Sequence, residues 1–111
     1  MFSDSTKSDW KTFQAILPEL RERYLEKKNR EIASLLSEPG KTSTERFWAS
    51  EEKIRKEAKI LKGCLDDYTK GNMKERVLIM HRHGMFLEED IFRFSETFQA
   101  EFRSFLARGG F

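Results

Sequence analysis

One short stretch, Ser37–Glu45 (SEPGKTSTE), parts two long segments of helical period, and that division constrains the fold most. Pro39 and Gly40 mark its centre as a turn. Thr42 then stands three residues before Glu45, the spacing of a capping box, in which side chain and backbone exchange hydrogen bonds at a helix start. Beyond it, Phe47, Ile54, Ala58, Leu61, Leu65 and Tyr68 recur at steps of seven, four and three. This spacing predicts a helix over 43–69 with a heptad-like apolar seam. Before the loop, Trp10, Phe13, Leu17, Leu20 and Tyr24 mark one face of another helix, with Ser8 or Asp9 as its cap. Pro18 lies within that segment and predicts a short lead-in followed by a long helix over 18–37. After Tyr24 the apolar stripe moves. Lys28 and Glu31 occupy its continuation, while Leu25, Ile32 and Leu36 form a new stripe rotated by roughly 100°. A rotating stripe implies a change of neighbour along the helix.

The rest of the chain reads as a return to this hairpin. Gly71 suits a left-handed helix end, and Asn72 a cap for a short helix over 73–83 that presents Met73, Val77 and Met80 and stops at Gly84. A last helix is expected from Leu87, with Glu88, Glu89 and Asp90 in its first turn, where the helix dipole favours anions. On it Leu87, Ile91, Phe94, Phe98, Phe102, Phe105 and Leu106 share an arc of roughly 120°. That arc is a core-facing stripe. Phe86 and Phe92 fall outside it and Phe111 lies beyond the helix, which makes these three rings candidates for outward contacts. The expected fold is all-α: a bundle of three to four helices containing a long antiparallel helical hairpin, over residues 9–108, between tails at 1–8 and 109–111. Its expected core is Phe13, Leu17, Leu20, Tyr24, Phe47, Ile54, Ala58, Leu61, Leu65, Val77, Ile91, Phe94, Phe98 and Phe102.

Composition narrows the function. With 21 basic and 19 acidic residues among 111, the chain has too little net charge to mark it as a nucleic-acid binder on charge alone. A single cysteine, Cys64, excludes an internal disulfide. No apolar run has membrane-spanning length and the first ten residues have no leader pattern, so the cytoplasm is the expected location and no membrane partner is expected. There is no phosphate-binding glycine loop and no nucleophile elbow. Cys64 with His81 or His83 is the one nucleophile–base pairing on offer, and Cys64 reads better as a small buried hydrophobe at the edge of the second helix's seam. His81 and His83 point about 200° apart on a helix, which does not suit one metal ion. No catalytic residue, cofactor or metal is therefore expected.

One constellation reads as recognition. Trp48, Arg55, Lys59 and Lys62 share a flank of the second helix away from its seam, with Lys56 farther round. A ring beside four bases suits an acidic protein surface. It also suits nucleic acid, with charge to phosphates and ring to a base. The expected function is a non-enzymatic protein–protein interaction or regulatory module, adaptor or inhibitor in type, whose partner is another protein or a second copy as a homodimer. Its candidate contact residues are Trp48, Arg55, Lys56, Lys59, Lys62, Phe86 and Phe92. The alternative is a nucleic-acid-binding regulator using the Trp48 flank.

Overall fold

In the computed structural model, which describes residues 7–109, the chain is all-α. Helix α1 spans Lys7–Leu36, α2 Ser43–Leu65, α3 Met73–Arg82 and α4 Glu96–Ala107, with a 3-10 helix at Glu88–Arg93 ahead of α4. The two long helices form the antiparallel hairpin, and the molecule is elongated, 52 × 27 × 22 Å. The Thr42 cap forms in full: its hydroxyl accepts from the Glu45 amide at 3.0 Å and its own amide donates to the Glu45 carboxylate at 2.9 Å.

Helix α1 runs through Pro18 without a break, against the expected lead-in and restart. A proline in a helix interior costs about 3 kcal/mol. Phe13, Ile16, Leu17 and Leu20 flank it on one face and are all buried, each worth about 1.5–3 kcal/mol, so packing outweighs the lost bond. Helix α2 stops at Leu65, short of 69. Asp67, not Gly71, adopts the left-handed conformation, with φ of 57°. The Asn72 side chain does not cap α3; it accepts from the Thr69 amide at 2.7 Å and donates to the Asp67 carbonyl at 3.0 Å, closing the turn.

The last helix is also divided. Phe94 and Ser95 are extended, and α4 restarts at Ser95, whose hydroxyl accepts from the Phe98 amide at 3.2 Å. Ser95 is held from far away in the chain. Its amide and hydroxyl both donate to the Asp9 carboxylate, each at 2.8 Å, and Asp9 is buried. The sequence suggested Asp9 as the cap of α1; it instead sits inside α1 and fixes the start of α4. Asp90 performs a similar tie. It receives a two-pronged hydrogen bond from Arg23 of α1 at 2.7 and 3.1 Å, and accepts from the Leu87 amide at 2.8 Å. Replacement Asp9→Ala leaves a half-buried amide and hydroxyl without their acceptor. It should lower the urea unfolding free energy by about 2 kcal/mol; a loss below about 0.5 kcal/mol would mean that this tie contributes nothing.

The core lies where α3, the 3-10 helix and α4 close on the N-terminal half of α1 and the end of α2. The phenylalanine stripe is there: Phe94, Phe98 and Phe102 are buried, and Phe94 stacks on Phe98 with centroids 4.3 Å apart. Phe86 is also there, 1% exposed, which corrects the expectation of an outward ring. The reason is the turn at Gly84, where the Met80 carbonyl accepts from both the Met85 and the Phe86 amides and swings both side chains inward. Phe86 then packs edge-on to Phe102 at 5.6 Å. Phe111 lies outside the described residues.

Candidate functional site

The hairpin is assembled with its polarity inverted. The face of α2 that meets α1 carries Ser50, Glu57 and Cys64, all buried, with Lys53 beside them. The expected seam does not meet α1 squarely: Phe47 and Ile54 are 57% and 52% exposed, and Ala58, Leu61 and Leu65 are half-buried. What joins the helices at mid-length is a charged cluster. The Tyr24 hydroxyl donates to Glu57. Lys53 bridges Glu57 at 3.1 Å and Glu31 at 3.0 Å, and Lys28 lies 3.7 Å from Glu57 and 3.6 Å from Glu31. Burial pushes the Glu57 carboxyl up, but the Tyr24 and Lys53 hydrogen bonds and the Lys28 charge outweigh it and hold it below its usual range. Burial and the same bond to Glu57 push the Tyr24 phenol well above its ordinary value. Hydrogen bonds to Glu31 and Glu57 likewise raise Lys53. No buried side-chain nitrogen or oxygen among the described residues lacks a hydrogen bond.

This cluster shows where the leftover apolar residues point. A helix turns about 100° per residue. Measured from the residues that face the other helix, the α1 stripe Leu25, Ile32 and Leu36 is displaced by roughly 80–100°. The α2 stripe Phe47, Ile54 and Ala58 is displaced by a similar angle in the same rotational sense. In an antiparallel pair, equal rotations of one hand bring both stripes to the same side. The hairpin therefore has an apolar back. Arg23 and Glu19, which hold the 3-10 helix through Asp90 and Arg93, lie round the other side of α1, so the bundle body leaves this back uncovered. The rotating stripe of α1 had signalled a change of neighbour. The matching displacement on α2 carried no such signal, because its seam looked like an ordinary core face.

The basic flank borders this back. Trp48 is exposed and packs edge-on to Phe47 at 5.0 Å. Arg55, Lys56, Lys59 and Lys62 are exposed too, with Arg55 paired to Glu51 at 3.1 Å and Lys56 to Glu52 at 3.3 Å. Phe92 stands apart from them, 67% exposed, at a groove of about 490 Å³ between the 3-10 helix and α4, with the Arg103 guanidinium 5.4 Å from its ring centre. Phe86 belongs to the core and to neither surface. Cys64 is buried at the α2 end of the core, where burial pushes its thiol up, and His81 packs edge-on to Phe102 at 5.5 Å. Among the described residues no three His, Cys, Asp or Glu side chains gather where they could hold a metal ion, and no helix is long and apolar enough to cross a membrane. No family model, curated protein or solved structure matches the chain.

Proposed function

We propose that the protein is a non-enzymatic protein–protein interaction module that docks through the apolar back of its helical hairpin. One observation carries this reading: the hairpin buries its charged side and exposes its apolar side. Leu36, Phe47, Trp48 and Ile54 are each more than half exposed, in the half of the hairpin next to its connecting loop. Contiguous apolar surface of this kind, rimmed by charge, is a mark of an interaction site. The test is site-specific photocrosslinking in extract of the source organism. A photoreactive phenylalanine analogue in place of Ile54 should give a discrete protein adduct, whether to another protein or to a second copy. The same analogue in place of Lys27, exposed on the other side of α1, should not. No adduct at position 54 overturns the reading.

Nucleic acid is the second reading, supported by the exposed Trp48 beside Arg55, Lys59 and Lys62. Glu51 and Glu52 on the same helix weaken the field of that flank. Binding of this kind would weaken steeply with salt.

A further inference from the structure

We infer that the occupant of the hairpin's apolar back is a second copy of this chain, stacked face to face about a two-fold axis that runs along the hairpin. The inference rests on the docking reading above and adds the partner and its geometry. The charges that border the back carry it. On the α2 side the border is Arg55, Lys59 and Lys62, with Glu51 inside it and paired to Arg55 at 3.1 Å; on the α1 side it includes Glu22 and Glu26, both more than two-thirds exposed, with Arg21 beside Glu22 at 3.7 Å. The rungs of the hairpin set their heights. Tyr24 and Lys28 stand level with Glu57, and Glu31 with Lys53. At equal rise, Glu22 and Glu26 then stand level with the stretch of α2 that holds Arg55, Lys59 and Lys62.

A two-fold axis along the hairpin preserves height and lays each α1 over the partner's α2. The acidic border of one copy then meets the basic border of the other, twice over. Asn29, exposed and level with Arg55, brings a neutral carboxamide that can accept from Arg55 and donate to Glu51 across the interface. The apolar residues also meet in register: Leu36 over Phe47, Ile32 over Ile54 and Leu25 over Ala58. Every helix gains antiparallel neighbours, as in an up-down four-helix bundle. An axis across the hairpin would instead lay α1 on α1 and bring acidic border against acidic border. The charge pattern selects the first arrangement, and one self-complementary patch supplies both halves of it. Among the described residues Glu22 and Glu26 have loose partners, Arg21 at 3.7 Å and Arg30 at 3.9 Å, and Arg55 is held by Glu51 at 3.1 Å.

The test is sedimentation equilibrium of the full chain and two charge-reversed variants. The unaltered chain should be a dimer at about 10 μM, the micromolar range of a modest specific interface. Glu22→Lys with Glu26→Lys puts base against base, and Lys59→Glu with Lys62→Glu puts acid against acid. Each variant alone should dimerise at least tenfold more weakly. An equimolar mixture of the two should recover the dimer, because only the mixed pair is complementary on both borders. Should either variant fail to fold, Phe47→Ser with Ile54→Ser gives the decision: monomer is expected, and an unchanged dimer overturns the geometry. A monomeric unaltered chain, a dimer indifferent to both reversals, or a mixture that stays monomeric also overturns it. If the chain is monomeric yet crosslinks through position 54 to a different protein, the second copy is lost and the docking reading stands. If there is neither dimer nor crosslink, both are lost.

Discussion

Substitution Phe86→Ala is expected to cost about 3–5 kcal/mol, the range for deleting a buried aromatic ring. Phe86 is 1% exposed and lies between Phe94 and Phe102, with ring centres 6.1 and 5.6 Å away. Truncation removes the contact that joins the α3–α4 connection to the phenylalanine stripe, and it leaves a cavity that rings on rigid helices cannot readily fill. A small domain holds about 5–15 kcal/mol in total, so this one change approaches the limit of folding. The neighbouring Phe92→Ala is the control. Its ring is 67% exposed, and its loss should stay within about 0.5 kcal/mol. Chemical denaturation of both variants decides the matter. Equal, small losses would show that Phe86 is not part of the core.

The second large effect is expected at Glu57. Its carboxylate accepts from the Tyr24 hydroxyl and from Lys53, with Lys28 close by, and its side chain is only 8% exposed. Replacement Glu57→Leu leaves a buried phenol without its acceptor and two ammonium groups with only Glu31 to share. Breaking one side of a buried charged cluster costs about 3 kcal/mol. Replacing the partners together behaves differently, because no polar group is then left stranded. The triple change Tyr24→Phe, Lys53→Met and Glu57→Leu should be more stable than Glu57→Leu alone. A triple variant weaker than the single would contradict this account.

The same cluster sets a pH dependence. The Glu57 carboxyl sits below its ordinary 4.5 in the folded chain, and Glu31 is lowered too, chiefly by its hydrogen bond from Lys53. A carboxyl depressed on folding contributes stability that is fully present above the unfolded value. That contribution is lost as pH falls through the folded value. Stability should therefore decline below about pH 4.5, and Glu57→Leu should flatten that decline as well as lower the plateau. An acid limb of unchanged slope in the variant would assign it to other carboxylates.

Of the candidate site, the sequence made the ingredients legible and left the assembly open. Trp48, Arg55, Lys59 and Lys62 are exposed, as expected of one flank, and so is Lys56 farther round, because a helix that follows a complete capping box has a definite wheel. Phe92 read correctly as outward. Phe86 did not, because the helix wheel was applied to residues that lie in a turn. Whether a ring beside Gly84 points in or out depends on which carbonyl takes its amide, and Met80 takes it. The pairing of Asp9 with Ser95 was equally hidden. It joins residues 86 apart in the chain, and a one-dimensional pattern says nothing of such a contact.

What the sequence determined by itself was the all-α class, the two long helices, the loop that folds them together, and the rotation of the α1 stripe. These follow from capping, turn residues and periodicity, which act within a few residues. What only the tertiary structure decided was the azimuth of α2. Its apolar seam and its Ser50–Glu57–Cys64 face are each a regular helical stripe, and local physics does not choose between them. Lys28 and Glu31 choose: on the α1 face toward α2 they need charged partners, and Lys53 and Glu57 supply them. Turning α2 by roughly 80–90° to bring those partners in carries Phe47 and Ile54 out, and the docking surface is the consequence.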